Sequence, residues 1–140
     1  VVSPDLEDFG VVFGKRSESL ISSVINPGDL SVGLKIIFTA KGPLSNPYLI
    51  NILTQEKLQI KKDLVYGEVV EIYTSIGSKK IRGKLISDPD WSNYFRYFSL
   101  DNSWMQLSPG SNLFRYNADS GLDNLEVTVQ FKPEFLEVQQ

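Results

Sequence analysis

The sequence predicts an all-β protein, an antiparallel β-sandwich of the jelly-roll type with little helix. From Ser17 onward, short segments of alternating polarity recur, and Gly, Pro, Asn or Asp residues separate them. No long segment repeats its apolar residues with a helical period. At 140 residues the chain is the size of one domain, so a single continuous core is sufficient.

The clearest strand covers residues 125–132, where apolar side chains fall on one face and polar side chains on the other. Similar alternation predicts strands over residues 34–40 and 80–85. Residues 69–74 carry apolar side chains on both faces, so this strand is expected to lie inside a sheet. With the turns between them, the segments amount to about eight to ten strands, which favours a sandwich of the kind described for lectins.

Turn-forming residues occur where the chain must reverse. Residues 26–29, Asn-Pro-Gly-Asp, predict a type II turn between two strands, with a positive φ at Gly28. Pro109-Gly110 repeats this pattern, and Ser120-Gly121 and Ile76-Gly77 predict further breaks.

Two segments lack the strand alternation. Residues 1–16 mix Pro, Gly and charged residues, and we interpret them as a lead-in or linker to a single domain over residues 17–140. Residues 87–103 contain Asp-Pro-Asp followed by aromatic residues, so a loop with about one helical turn is predicted there. Because the first residue is Val1 rather than Met, the chain is expected to be part of a longer protein.

Charge and hydropathy argue against two classes of partner. The chain has 14 basic and 17 acidic residues, a formal net charge of −3, and no Lys/Arg-rich stretch. Nucleic acid is therefore not an expected partner, since phosphate backbones require a basic footprint. A membrane is not expected either, because no apolar run approaches the roughly 20 residues of a spanning helix.

The absence of both histidine and cysteine argues against catalysis. It removes Ser-His-Asp and Cys-His arrangements, disulfides, the usual zinc ligands and the commonest general base near neutral pH. The prediction is a protein that is not an enzyme and holds no cofactor.

An aromatic concentration is the sharpest functional candidate. Trp91, Tyr94, Tyr97 and Trp104 can stack on sugar faces, and Tyr94 and Tyr97 with Arg96 equally suit a protein interface. The sequence does not choose between a sugar and a protein partner.

The alternative interpretation of these aromatic residues is structural, since aromatic residues in a chain of this size usually belong to the core. Phe95 and Phe98 in particular are expected to be buried.

Acidic residues give two weaker candidates. Aspartates in several predicted loops could supply the oxygen ligands of a calcium site, but their spacing is not that of a calcium-binding loop. Turn capping is therefore favoured, and no metal is predicted. These residues are Asp88, Asp90, Asp101, Asp119 and Asp123.

A glycosidase would require two facing carboxylates, for which Glu56, Glu68, Glu71 and Glu126 are available. Glu71 and Glu126 fall on outward strand faces, where carboxylates are expected to be solvated.

Several short motifs, in order, resemble one known family. They are Asn26-Pro27-Gly28-Asp29, Gly42-Pro43, Asn46-Pro47-Tyr48 with Asn51, Gly67-Glu68 leading into Val69 to Thr74, Leu107 to Asn112 with Tyr116, and Val127 to Phe131 before Pro133, Glu134 and Phe135. From about Ser23 to Val138 the chain is similar to the C-terminal half of the siphophage distal tail protein family, often called Dit.

The resemblance implies a fold, a location and partners. Members form a hexameric ring at the distal end of the tail tube through an N-terminal belt domain. Their C-terminal domain projects as a galectin-like or carbohydrate-binding-module-like β-sandwich. This implies a virion tail-tip location after assembly in the host cytoplasm, other tail or baseplate proteins as partners, a monomeric fragment and a hexameric full-length protein.

The leading hypothesis is therefore a non-catalytic adaptor domain that projects from the distal tail ring and supports host-attachment components. The alternative is a carbohydrate-binding module that recognises host cell-surface glycans. In either case the candidate residues are Trp91, Tyr94, Arg96, Tyr97 and Trp104.

Overall fold

Two packed antiparallel sheets form the protein, which confirms the predicted all-β sandwich. The computed structural model describes residues 9–13, 21–99 and 102–136. The strands are β1 (Phe9–Phe13), β2 (Ile21–Asn26), β3 (Lys35–Ala40), β4 (Leu44–Ser45), β5 (Tyr48–Asn51), β6 (Glu56–Gln59), β7 (Asp63–Leu64), β8 (Glu68–Tyr73), β9 (Lys80–Leu85), β10 (Ser92–Asn93), β11 (Gly110–Asn117) and β12 (Leu125–Phe131). Within the described residues, short 3-10 turns cover Phe95–Tyr97 and Leu122–Asn124.

The strands form a six-stranded sheet and a four-stranded sheet. The first has the order β1-β12-β3-β8-β9-β10 and the second β2-β11-β5-β6, while β4 and β7 pair separately. The described pairings are antiparallel. β8 lies between β3 and β9, as its two apolar faces predicted.

One core lies between the two sheets. Along β12 and β3, buried residues alternate with half-buried ones, which confirms the predicted alternation. Phe38 from the six-stranded sheet and Phe114 from the four-stranded sheet are both fully buried. Both sheets therefore contribute their inner faces to the same apolar cluster.

The segment after β2 differs from its prediction. Gly110 has the positive φ that its turn predicted, and Gly77 and Gly121 have positive φ at the predicted breaks, but Gly28 does not. The chain makes no hairpin there, because β2 and β3 belong to different sheets and the segment crosses between them. Gly28 is required for another reason: a Cβ there would overlap the backbone of Glu134, whose carbonyl accepts a 2.7 Å hydrogen bond from the Asp29 N–H.

The Asn26 side chain secures this crossing. Its Nδ2 donates to the carbonyls of Leu30 and Leu107, both at 3.1 Å, and its Oδ1 accepts from the Gly28 N–H at 2.9 Å. A buried amide with these partners satisfies backbone groups that the crossing would otherwise leave unpaired.

The two segments without alternation contain some regular structure. β1 lies within the predicted lead-in and pairs along its length with β12, so the six-stranded sheet extends into residues 1–16. The division into residues 1–16 and 17–140 stays a prediction. The loop over residues 87–103 holds β10 and one 3-10 turn, and Asp101 lies outside the described residues. No helix in the described part of the chain is long and apolar enough to span a membrane.

Candidate functional site

The aromatic residues predicted as a site separate into three groups around strand β9. Trp91 contacts the outward side chains of β9, with the Arg82 guanidinium 4.1 Å from its ring centroid. Tyr94 lies on the opposite side of the strand, where its ring fills the space that a side chain at Gly83 would occupy. Trp104 packs with other aromatic rings beyond the 3-10 turn. The structure therefore does not gather the five predicted residues into one site.

Tyr94 belongs to a half-buried polar cluster around the buried carboxylate of Glu68. Its hydroxyl donates to Glu68 Oε2 at 2.7 Å, and Lys62 Nζ contacts the same oxygen at 2.9 Å. Glu68 Oε1 accepts from the Val65 N–H at 3.1 Å. Burial, followed by the hydrogen bond to Glu68 and its negative charge, raises the pKa of Tyr94 well above its ordinary value. The phenol stays protonated and ties the loop after β10 to β8.

Tyr97 and Arg96 continue this cluster toward solvent. The Tyr97 ring meets Tyr94 edge-on at 5.2 Å, and Lys62 Nζ lies 5.6 Å from its centroid. Arg96 stacks on Tyr97 at 4.6 Å and donates from Nη2 to its hydroxyl at 2.9 Å. Arg96 is exposed, so it is the member of this group that a partner reaches first.

Trp104 forms an aromatic group with Phe95 and Phe98. Its ring centroid lies 4.4 Å from that of Phe98 and 5.9 Å from that of Phe95. The expectation that Phe95 is buried is wrong, since this residue is 49% exposed on the 3-10 turn at the sheet edge. Phe98 and Trp104 are half-buried against the core.

The outer face of the six-stranded sheet is basic and aromatic. Register places Lys35, Tyr73 and Lys80 side by side across β3, β8 and β9. Both lysine ammonium groups approach the Tyr73 ring, at 5.5 and 4.8 Å from its centroid. We call this surface the basic face, and it comprises Lys35, Tyr73, Lys80, Arg82, Lys84 and Trp91.

Glu71 lies at the centre of the basic face. The expectation that it is solvated is wrong: it points outward, yet it is only 8% exposed because neighbouring side chains enclose it. Its Oε1 accepts from the Tyr73 hydroxyl at 2.8 Å and from Arg82 Nε at 2.9 Å, and Lys35 Nζ lies 3.7 Å from Oε2.

These contacts set the protonation of Glu71. Burial alone raises the pKa of a carboxyl group. The hydrogen bonds from Tyr73 and Arg82 and the charges of Lys35 and Arg82 outweigh it, so the pKa of Glu71 lies below its ordinary value. The ionised carboxylate fixes Arg82 in place.

A groove of about 400 Å³ opens at the edge of the basic face, between β9 and β10. Trp91 stands at this groove, with Lys84 Nζ 4.9 Å from its ring centroid in addition to Arg82. Among the described residues, no carboxylate lines the groove. Its lining residues are Lys79, Lys80, Ile81, Arg82, Trp91, Ser92, Asn93 and Phe95.

The outer face of the four-stranded sheet carries four aliphatic side chains among polar ones such as Ser23, Ser111 and Arg115. Ile21 and Ile25 are 44% and 60% exposed on β2, and the neighbouring strands add Leu113 and Ile50 on the same face. Register places Ile21, Arg115 and Ile50 side by side. We call Ile21, Ile25, Ile50 and Leu113 the aliphatic face.

Comparison with known proteins identifies the family. The model of a family described as "Siphovirus-type tail component, C-terminal domain" matches residues 27–135, more than half of the chain. The chain belongs to this family. The resemblance predicted from the sequence motifs is therefore confirmed, and the protein is a component of a virion tail. A search of curated proteins gave no match.

The fold of this tail-component domain has a solved counterpart. It is similar to the Dit protein of phage SPP1, with a TM-score of 0.72 at 11% sequence identity. The match covers 93% of this chain and 48% of that one, so the chain spans about half the length of the protein it matches. At this identity the likeness shows the fold alone.

Three further acidic candidates of the tail-component domain contact other side chains. Asp119 accepts a 2.8 Å hydrogen bond from Asn46 Nδ2, which holds two loops together. Glu56 accepts from Ser103 Oγ at 2.9 Å, and Glu126 lies 3.7 Å from Lys41 Nζ. Among the described residues, no group of three or more acidic side chains is placed to hold a metal ion.

The groove's basic residues were missed from the sequence. Lys80, Arg82 and Lys84 share one face of the predicted strand over residues 80–85, at a spacing of two residues. That spacing was the available signal. What brings β9 beside Trp91 is the pairing of Ser92 with Gly83, which strand alternation does not reveal.

Proposed function

We propose that this tail-component domain is a non-catalytic structural adaptor that projects from the distal tail ring and supports host-attachment components. The observation that carries the proposal is the family match over residues 27–135. The fold agrees with it, since the similar SPP1 Dit protein is described as a paradigm of the hub adsorption apparatus in phages that infect Gram-positive bacteria.

The aliphatic face supports a role in contacting another tail protein. Contiguous exposed apolar side chains on a folded domain are typical of protein interfaces. Ile25 and Leu113 lie on adjacent strands of that face as diagonal neighbours, opposite Ser111 and Ser23. Ile25 is exposed and Leu113 is half-buried, and neither belongs to the core cluster, so a partner can reach both side chains.

The buried acidic side chains support a structural rather than catalytic role. Glu68 is held by Lys62 and Tyr94, and Glu71 by Arg82 and Tyr73. A catalytic carboxylate must instead face a substrate with a tuned and accessible proton.

The test places substitutions in the full-length protein during virion assembly. Antibody labelling in electron microscopy is expected to locate the domain at the distal end of the tail. Ile25→Asp combined with Leu113→Asp puts charges on the aliphatic face, and the resulting tails are expected to lose host-attachment components, measured by mass spectrometry of purified virions.

The matched control is Ile76→Asp. Ile76 is 84% exposed in the turn between β8 and β9, so the same type of substitution falls outside the aliphatic face. Control virions are expected to keep their full complement of tail proteins. Labelling away from the distal end, or unchanged tails in the double variant, would contradict the adaptor role.

A second candidate function is recognition of host cell-surface glycans. The observation that favours it is the groove beside Trp91, which combines aromatic rings with hydroxyl, amide and cationic groups. Arg96 and Trp104 flank the same loop, and their participation remains a prediction.

A further inference from the structure

We propose that the groove between β9 and β10 binds an acidic saccharide, one that carries phosphate or carboxylate groups. The proposal rests on the second candidate function, glycan recognition, and adds the location of the site and the charge of its ligand. The adaptor role is independent of it.

Charge is the first reason. Three cationic residues line the groove, Lys79, Lys80 and Arg82, and Lys84 lies against its tryptophan. The charge of Arg82 is paired with that of Glu71, so the excess positive charge comes from the lysines. The whole chain carries a formal charge of −3, so these cations are concentrated against the overall charge. A cleft lined by one sign of charge attracts ligands of the opposite sign.

Preorganisation of Arg82 is the second reason. Its Nε donates to Glu71 and its Nη2 to the Tyr73 hydroxyl, at 2.9 and 3.2 Å. The described residues leave Nη1 without a hydrogen-bond partner, so its two N–H groups remain for a ligand. A guanidinium already fixed in position loses little entropy when it binds phosphate or carboxylate.

The aromatic and polar walls favour a saccharide. Trp91 and Phe95 offer ring faces or edges to the apolar side of a sugar, and Ser92 and Asn93 offer a hydroxyl and an amide to its oxygen atoms. The Asn93 amide is oriented, because its Oδ1 accepts a 2.8 Å hydrogen bond from the Phe95 N–H. A volume of about 400 Å³ falls within the usual range for small-ligand sites.

The groove also has a continuation toward Trp104. Lys79 Nζ lies 5.6 Å from the Trp104 ring centroid, and Phe95 contacts the same ring. Both Lys79 and Phe95 line the groove, so a longer saccharide that leaves it on this side meets a second tryptophan. The two tryptophans predicted from the sequence thus flank one surface.

The test is a glycan array that contains neutral, phosphorylated and uronic-acid-bearing oligosaccharides, followed by calorimetric titration of matched pairs. Hexagalacturonate and its fully methyl-esterified form share one backbone and differ in charge. We expect the acidic member of such pairs to bind about tenfold or more tightly, with affinity falling as salt rises.

Variants locate the site. Trp91→Ala and Lys80→Gln are each expected to reduce acidic-saccharide binding about tenfold. The matched controls are Tyr48→Ala and Lys57→Gln, because Lys57 Nζ stacks on Tyr48 at 4.7 Å on the opposite sheet. These controls are expected to bind as the wild type does, and thermal unfolding establishes that each variant is folded.

The other outcomes overturn the proposal in distinguishable ways. Equal binding of neutral and acidic saccharides would remove the charge requirement and keep glycan recognition. Absence of binding to every saccharide would remove both and leave the adaptor role. Tighter binding of a single-stranded oligonucleotide or an acidic peptide, lost in Trp91→Ala, would assign the groove to another class of ligand.

Discussion

The two sheets of this tail-component domain have similar inner faces and different outer faces. The six-stranded sheet turns lysine, arginine and aromatic side chains outward around Glu71, whereas the four-stranded sheet turns isoleucine and leucine outward among Ser23, Ser111 and Arg115. Inside, both contribute fully buried apolar residues to one core. Residues on the inner faces specify the fold, because only these faces are needed for packing. Residues on the outer faces are free to specify partners.

The largest expected effect tests whether the inner faces of both sheets contribute to the stability of the shared core. Phe38→Ala and Phe114→Ala remove fully buried rings from opposite sheets. Each is expected to lower the free energy of unfolding by about 3–5 kcal/mol, because each leaves a cavity in the shared core. Urea denaturation measures both.

Ile25→Ala is the control for these two variants, since Ile25 is 60% exposed on the aliphatic face. A change within about 0.5 kcal/mol is expected for it. If Phe114→Ala cost no more than Ile25→Ala, the four-stranded sheet would not share the core, and the comparison would fail.

A smaller effect is expected at the strand that separates Trp91 from Tyr94. A Cβ at Gly83 would overlap the Tyr94 ring, which packs on the inner side of β9. Gly83→Ala is therefore expected to destabilise the protein by about 1–3 kcal/mol through overpacking. Thermal and urea unfolding measure the loss.

The cause can be isolated with a double-mutant cycle. In a Tyr94→Ala background the ring is absent, so Gly83→Ala is expected to cost much less than in the wild type. Equal costs in both backgrounds would mean that the strand, rather than the Tyr94 ring, requires glycine at this position.

Strand alternation predicted the inner faces well, because a period of two residues directly reports which side chains face the core. β12, β3 and β9 followed it, and Gly110 took the positive φ that its turn requires. Gly28 lacks a positive φ. Glycine is required there because the backbone of Glu134, more than 100 residues further along the chain, approaches it closely. A local sequence pattern cannot predict a contact between residues so far apart in the chain.

The outer faces were predicted less well, because their contacts also join residues that are distant in the sequence. The aromatic residues around Trp91 were recognised, but their division depends on which side of β9 each ring reaches. Glu71 was expected in solvent because it points outward, and only its contacts with Tyr73, Arg82 and Lys35 reveal that it is enclosed. Pairing between strands, rather than alternation along one strand, determines the surface chemistry.

The smallest expected effect concerns pH and the basic face. The pKa of Glu71 is lowered in the folded protein, so its ionised form stabilises the fold above the ordinary value of 4.5, and this contribution is lost as pH falls through the folded value. Glu71→Gln keeps an acceptor for Tyr73 and Arg82 but removes the charge. The variant is expected to be less stable than the wild type at pH 7, with the difference shrinking below about pH 4.5.

Urea midpoints measured from pH 7 to pH 3 test this expectation against a carboxylate on the same sheet. Glu126 lies 3.7 Å from Lys41, whose side chain is 61% exposed, so Glu126→Gln is expected to change stability less at every pH. A deficit in Glu71→Gln that stays constant across this range would mean that shape, rather than charge, holds Arg82. Arg82 would then keep its position without an ionised Glu71. The difference in charge between the two outer faces would not depend on the ionisation of Glu71.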